Sequence, residues 1–373
     1  MTTSRLLVLS FAGAILIGTV ILWLPFSTAG EGSLSLTDSL FMATSGICVT
    51  GLIVVETGKD LSLFGQVVIL ILIQAGGLGI LTFSNLLLIA AGRKLGLSER
   101  ILVEETHGGI LPARSVGLVR RVFFYTFTIE SAGALLLFAR FRSHMPFETA
   151  LWSAVFHSVS AFCNAGFSLY STSFMDYSAD LYVNLIMTGL IILGGLGFVV
   201  MADIASFLKS KTKKESRHNL SLHSRSVLYT TLILIIAGAV LIGILESDNL
   251  LKDRPFKESI LTSIFLSITP RTAGFNTLDT GSLTTATLLT LIPLMIIGAS
   301  PGSTGGGIKT TTFAATFALV KSELRQRTSV ELLNRQIPNE IIIKALATIV
   351  GFLLVLFTGV FLLQITESWA ASR

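Results

Sequence analysis

The sequence predicts an all-α polytopic membrane protein that is built from repeated units. The chain of 373 residues is 51% hydrophobic and only 13% charged, and its mean hydropathy is +0.77. A soluble domain could not cover its surface with so few charges. Runs of about 20 apolar residues, the length that a hydrocarbon core of roughly 30 Å requires of a helix, occur along the chain. A short pattern that ends in glycine also recurs three times.

Seven apolar segments are predicted to span the membrane. The first is interpreted as a spanning helix rather than a cleaved signal, because its apolar stretch is too long and Trp23 and Pro25 suit the interfacial end of a helix. The sixth is interrupted by a glycine-rich stretch. The segments are 6–25, 62–91, 117–139, 180–208, 226–245, 284–320 and 341–365.

The basic residues predict the orientation of these spans. Lys and Arg number six in 92–121, six in 209–225 and five in 321–344. The intervening connections together hold seven basic and twelve acidic residues. By the positive-inside rule the first three connections and the N-terminus are cytoplasmic. The net charge of +5 therefore reflects topology, and no nucleic-acid partner is expected.

Three segments between the spans share one pattern. They read LTDSLFMATSGICVTGL (36–52), FETALWSAVFHSVSAFCNAGF (147–167) and FKESILTSIFLSITPRTAGF (256–275). Each is too short and polar to cross a membrane, begins with an acid, continues as an amphipathic helix and ends at a glycine. A glycine-rich stretch follows in the next span, at 76–79, at 194–197 and from 298 onward. The repeated unit is therefore span, half-helix, glycine turn, span.

Such a half-helix has a physical use inside a membrane. An acid at its N-terminus (Asp38, Glu148 or Glu258) complements the helix dipole, and the negative end then points to the midplane and favours a cation. The glycine turn permits close backbone approach and offers carbonyls at depth. A structural re-entrant loop is the alternative. The predicted filter residues are Val49, Thr50, Gly51, Asn164, Ala165, Gly166, Thr272, Ala273 and Gly274.

Aligning the three turns on their glycines puts Cys48, Cys163 and Arg271 at equivalent positions. The two cysteines are expected to be small buried residues, and with five scattered histidines they form neither a disulfide framework nor a metal site. Arg271 would oppose a cation inside a filter. We expect it to point away from the ion path and to pair with an acid such as Asp279.

The sixth span is interrupted by GASPGSTGGGIKTTT at 298–312. A phosphate-binding loop is not predicted here, because that motif places the lysine directly after a glycine and follows a strand. In this segment Ile308 separates Gly307 from Lys309, and no strand precedes it. A movable plug fits better, since the helical residues 284–297 rise about 21 Å and carry the chain below the filter. A passive kink is the remaining alternative. The predicted gate residues are Gly298, Ser300, Gly302, Ser303, Thr304, Gly305, Gly306, Gly307 and Lys309.

The motifs VTGL (49–52), CNAGF (163–167), TPRTAGFNT (269–277) and the loop at 298–312 resemble the Trk/Ktr/HKT superfamily of potassium transporters. The likeness is greatest to the membrane subunit of bacterial Ktr uptake systems. It implies four helix–pore-helix–helix units around a pseudo-four-fold pore in the inner membrane. It also implies K⁺ as substrate, Na⁺ as a stimulating ion, a homodimer and a cytoplasmic nucleotide-binding regulatory ring, with no enzymatic activity.

The expected division is a first unit at 1–91, a second at 92–209, a third at 210–327 and the start of a fourth at 328–373. The last range carries a span after Pro338 but no half-helix, filter glycine or second helix. We therefore expect a truncated fourth unit. The function expected is the pore-forming subunit of a potassium uptake system, and the alternative is a truncated non-conducting or regulatory membrane subunit.

Overall fold

The structure is a computed structural model that describes residues 3–30, 32–79, 115–213, 219–327 and 329–371. Twelve α-helices and one short hairpin lie within these ranges. The helices are α1 (Thr3–Trp23), α2 (Leu36–Ile47), α3 (Leu63–Gly77), α4 (Ser115–Phe141), α5 (Phe147–Phe162), α6 (Leu181–Leu196), α7 (Phe198–Lys213), α8 (Leu222–Leu245), α9 (Phe256–Ile268), α10 (Thr285–Ile296), α11 (Thr310–Leu324) and α12 (Asn339–Ala371), and the strands are β1 (Glu331–Leu332) and β2 (Arg335–Gln336).

Three of these helices, α4, α8 and α12, are long and apolar enough to cross a membrane. Shorter apolar helices occupy Val8–Trp23, Leu63–Gly77 and Thr285–Ile296. The second part of the predicted span 62–91, most of the basic connection 92–121 and part of the basic connection 209–225 lie outside the described residues.

The three predicted half-helices are present as α2, α5 and α9. Asp38, Glu148 and Glu258 lie in their first turns, as predicted. At α2 the N-cap is complete, because the Ser35 hydroxyl accepts a hydrogen bond from the Asp38 amide at 3.0 Å. Glu258 instead forms an ion pair with Arg254 one turn before it. Each acid thus lies where the helix dipole stabilises it.

The predicted span over 180–208 is broken rather than continuous. The chain breaks between α6 and α7, and the two helices meet at 101°. Gly197 at the break has a φ of 89°, which glycine adopts without a steric penalty. The glycine-rich stretch of the second unit therefore turns the chain sharply.

In the first two units, glycines bring the helix after the turn into contact with the end of its half-helix. Gly76 on α3 faces the carbonyl of Ile47, the last residue of α2. Gly194 on α6 faces the carbonyl of Phe162, the last residue of α5, in the same way. A Cβ at either glycine would collide with that carbonyl oxygen. The glycine pairs are needed because the helices approach backbone to backbone.

The same helices also contact the next unit along the chain. Helix α3 packs against α5, and α6 packs against α9. Gly77, for example, lies against Cys163, since a Cβ there would be 2.8 Å from the cysteine Sγ. These contacts place the three half-helices side by side in chain order and bring their C-terminal ends together.

Replacing Gly194 with alanine should destabilise the fold, because the added Cβ meets the Phe162 carbonyl. Overpacking of this kind costs about 1–3 kcal/mol. Gly189 on the same helix has no atom within 4 Å of a built Cβ, so Gly189→Ala should be neutral or slightly stabilising through helix propensity. Thermal unfolding in detergent compares the two variants. Equal melting temperatures would contradict the close-approach argument.

A candidate ion pathway of three glycine turns and an inserted loop

The three predicted filter turns share one backbone conformation. In each, the first and third residues have a positive φ and the middle residue does not. The six residues are Val49 (55°), Gly51 (79°), Asn164 (58°), Gly166 (73°), Thr272 (72°) and Gly274 (79°).

A positive φ is costly at Val49 and Thr272 because both side chains are β-branched. Such strain persists only where the surrounding structure enforces it, and it is concentrated at functional sites. The sequence predicted the need for glycine at the third position of each turn. It carried no signal for the strain at the first position.

The three turns meet at their glycines. A Cβ built on Gly51 would lie 2.5 Å from the Ala165 carbonyl oxygen and 3.1 Å from the Gly166 Cα. One built on Gly166 would lie 2.8 Å from the Ala273 carbonyl oxygen and 3.2 Å from the Gly274 Cα. Residues more than 100 positions apart thus converge on one point, where only backbone fits.

Hydroxyls from the half-helices support the chain as it leaves two of these turns. Ser160 donates to the carbonyl of Phe167 at 2.8 Å, and Thr269 donates to the carbonyl of Phe275 at 2.6 Å. Each acceptor directly follows a filter glycine. The sequence alone did not predict either donor, although a polar residue at the C-terminal end of an apolar half-helix is a usable signal.

His157 supports the same segment in the second unit. Its buried ring stacks on Tyr170, with centroids 4.6 Å apart. Nε2 accepts a hydrogen bond from the Leu169 amide at 3.1 Å, so Nδ1 carries the proton and donates to the Ser153 carbonyl at 2.8 Å. The residue is a neutral brace in the aromatic core formed with Tyr170 and Phe174, a role that the sequence did not reveal.

The loop at 298–312 folds back on itself. Ile297 and Ile308 form a parallel bridge, and the Ala299 amide donates to the Gly306 carbonyl at 3.1 Å. Lys309 closes the loop by donating from Nζ to the Gly305 carbonyl at 2.8 Å. The lysine is therefore bound to a backbone carbonyl rather than to a carboxylate.

The folded loop lies against the first residues of two filter turns. Gly305 faces the Thr272 hydroxyl so closely that a Cβ would collide with it. The Thr304 hydroxyl lies 2.8 Å from the side-chain amide of Asn164, a separation that is the same in either orientation of the amide. Thr304 also donates to the Phe162 carbonyl at 2.9 Å. The loop is thus placed on the half-helix side of the turns.

The loop also fills the break between α6 and α7. In a continuous helix the Phe198 amide would donate to the Gly194 carbonyl. Here Phe198 donates to the Gly302 carbonyl at 2.9 Å, and Gly194 accepts from the Thr304 amide at 3.2 Å. The free Gly195 carbonyl accepts from the Ser300 amide at 2.9 Å. The break and the loop therefore provide the hydrogen-bond partners for each other's backbone groups.

Comparison with known proteins identifies the family. The chain matches the TrkH family, described as cation transport proteins, over residues 6–371. It is 41% identical to the Ktr system potassium uptake protein B of Bacillus subtilis (strain 168), over 98% of this chain and 81% of that protein. It is 39% identical to the protein of the same name from Vibrio alginolyticus, over 97% of this chain and 79% of that one.

The chain belongs to the TrkH family of cation transport proteins. A further relative, the potassium/sodium uptake protein NtpJ of Enterococcus hirae, is 33% identical over 98% of this chain and 79% of its own length. The solved structure of the potassium transporter TrkH from Vibrio parahaemolyticus has the same fold, with a TM-score of 0.68 at 20% identity over 93% of this chain and 70% of that one.

Membership confirms the resemblance drawn from the motifs. The chain is an integral membrane protein of a potassium uptake family whose members are transporters rather than enzymes. The four-fold arrangement of units, the domain boundaries and the roles of the filter and gate residues stay predictions.

Two expectations about this TrkH-family chain are wrong. Asp279 does not pair with Arg271, because it is occupied in capping the turn Thr280–Ser282, where its carboxylate accepts from the Ser282 hydroxyl at 2.6 Å. The buried Arg271 donates from Nη2 to the Gly298 carbonyl at 3.4 Å. Cys48 is exposed, whereas Cys163 is buried as expected, since among the described residues a preceding unit's helix covers only the second.

Replacing Thr304 with valine should loosen the loop at 298–312. The change keeps the shape but removes the hydroxyl that contacts Asn164 and Phe162, and each lost hydrogen bond contributes about 0.5–1.5 kcal/mol. Amide exchange at Thr304, Ser300 and Phe198 should therefore become several-fold faster. Thr290→Val is the control, because the Thr290 hydroxyl is exposed and bonds only within its own helix, to Ala286. Unchanged exchange in Thr304→Val would show that this hydroxyl does not hold the loop.

Proposed function

We propose that this chain is the pore-forming subunit of a potassium uptake system. K⁺ would cross the membrane through a filter made by the three glycine turns, under the control of an intramembrane gate at 298–312. The observation that carries the proposal is the convergence of Gly51, Gly166 and Gly274, where no side chain fits and only backbone carbonyls are available.

Electrostatics favour a cation at this point. The C-terminal ends of α2, α5 and α9 come together there, and each helix end carries a partial negative charge of roughly half an electron. The carbonyls of the turns can replace the hydration shell of an ion that enters. Potassium is the proposed ion because the relatives from B. subtilis and V. alginolyticus are named as potassium uptake proteins. The name of the E. hirae relative adds sodium, which supports Na⁺ as a second, stimulating ion.

The proposed gate is the loop that lies against Asn164 and Thr272. It obstructs the inner end of the filter while its hydrogen bonds to the α6–α7 break and to Phe162 hold it. Each of these bonds contributes only about 0.5–1.5 kcal/mol, so a partner that moves α7 or α11 could release the loop. A cytoplasmic nucleotide-binding regulatory ring is the proposed partner, and a homodimer the proposed assembly. Lys309 follows the loop and would add a positive charge near the closed path.

A flux assay tests the filter. Full-length protein is reconstituted in liposomes, and K⁺ uptake is measured in competition with Na⁺. The variant Gly166→Ser should lose about 1–3 kcal/mol of K⁺ preference, since a side chain displaces converging carbonyls. The control is Gly32→Ser, at a glycine that also has a positive φ, 116°, but no neighbour within 4 Å. Wild-type protein without K⁺ uptake, or unaltered selectivity in Gly166→Ser, would refute the proposal.

The gate makes a separate prediction in the same assay. Thr304→Val should raise K⁺ flux a few-fold, because weakening the closed state by about 1 kcal/mol shifts the loop toward its open position. Selectivity should not change, since the filter glycines are untouched. This variant tests the gate more specifically than a deletion of 301–306 would, because the deletion would also remove the backbone hydrogen-bond partners of Gly194 and Phe198. A lower flux in well-folded Thr304→Val would instead support a structural loop.

A further inference from the structure

A basic cavity lies at the far end of the helix that follows the proposed gate. It has a volume of about 330 Å³, within the lower range of small-ligand sites. Helix α11 forms one wall and the β1–β2 hairpin forms the other. The lining includes Lys321, Arg325, Arg327, Ser322, Glu331 and Asn334.

The cavity carries excess positive charge. Glu331 pairs with Arg327 at 3.0 Å. Neither Lys321 nor Arg325 forms an ion pair with another described residue. Lys321 lies in the last turn of α11 and Arg325 is its C-cap residue, and both line the cavity. The helix dipole explains why a basic residue such as Lys321 lies in the last turn of α11. It does not explain why Arg327, which lies beyond the helix, lines the same cavity.

The walls of the cavity are held in place. The buried Ser322 hydroxyl donates to the Ser329 carbonyl at 2.9 Å and ties the approach to the hairpin onto α11. The hairpin turn consists of Leu333 and Asn334, which both have a positive φ, 50° and 63°. This is the turn geometry that matches the twist of two short antiparallel strands. The cations are therefore presented by a built structure rather than by a loose tail.

An apolar stripe adjoins the basic face of the same helix. Phe317, Val320 and Leu324 are 63%, 50% and 81% exposed, and their spacing of three and four residues places them in one row. The helix therefore presents an apolar surface that ends beside the two cations. A phospholipid has a matching arrangement, because its apolar acyl chains end at an anionic headgroup.

The depth of the cavity agrees with a headgroup, and this step rests on the proposed function. If the loop before Thr310 lies at the inner end of the filter, near the midplane, the eleven residues to Lys321 rise about 17 Å. Half of the hydrocarbon core is about 15 Å. Lys321 and Arg325 would then reach the phosphate layer of the leaflet opposite the half-helix N-termini.

We propose that this cavity binds the phosphate of an anionic phospholipid of the inner leaflet. Lys321 and Arg325 contact the phosphate, and the chains run along Phe317, Val320 and Leu324. The occupied site would anchor the end of α11 opposite the gate loop.

Native mass spectrometry of the full-length protein in detergent tests the site. Phosphatidylglycerol is titrated against phosphatidylcholine with the same chains. Phosphatidylglycerol should bind preferentially, and K321Q/R325Q should bind it roughly 30-fold more weakly, since each basic residue near an anionic surface contributes about fivefold. The conservative variant K321R/R325K should retain binding. The matched control is K252Q/K257Q, which removes two exposed charges elsewhere.

Three outcomes would overturn the proposal. Equal binding by K321Q/R325Q and the control would remove the site. Displacement of the lipid by inorganic phosphate at the same concentration would assign the cavity to a free anion. Loss of lipid on addition of the regulatory protein, with no lipid bound in the complex, would assign this face to a protein partner. K⁺ uptake in vesicles of phosphatidylcholine alone tests the pore separately, so failure there is distinguishable from failure of the lipid site.

Discussion

Backbone groups released by a broken helix inside a membrane have no water to bind, and each costs free energy until it finds a partner. Within the described residues the chain breaks at Gly197 and at Gly298, and one break lies against the other. The Gly194 and Gly195 carbonyls and the Phe198 amide bond to Thr304, Ser300 and Gly302. An irregular loop can therefore exist at this depth because the second unit provides its partners.

This pairing also sets the position of the loop relative to the filter. The helix that breaks at Gly197 is the same one that packs Gly194 against the last carbonyl of α5. The loop therefore docks onto a helix that already holds the second turn, and Thr304 contacts both Phe162 and Asn164. A displacement of α7 would alter the hydrogen bond from the Phe198 amide to the Gly302 carbonyl of the loop. The proposed gate is thus connected by a hydrogen bond to α7, a helix that extends away from it.

The three turns are alike in backbone and different in support. In the second and third units a hydroxyl at the end of the half-helix fixes the carbonyl after the filter glycine, whereas the corresponding Ser45 hydroxyl in the first unit has no hydrogen-bond partner among the described residues. The second turn has His157 as an additional brace, and the third has Arg271, which reaches the Gly298 carbonyl at the start of the loop. A repeated sequence pattern thus fixes a common conformation, while its surroundings make each copy distinct.

Sequence by itself determined the membrane class, the three half-helices with their acids, the glycine at the end of each turn and the unusual loop at 298–312. These follow from hydropathy, from the helix dipole and from the backbone freedom of glycine, which are properties of a residue and its near neighbours. Only the tertiary structure decided that span 180–208 breaks, that Asp279 caps its own turn, that Cys48 is exposed and that Ser160, Thr269 and His157 brace the turns. The break depends on the loop at 298–312, whose residues lie about 100 positions away and supply its hydrogen-bond partners. The bonds of Asp279, Ser160, Thr269 and His157 are made within three to twelve positions along the chain, but several partners are available over such distances and the packed fold selects among them.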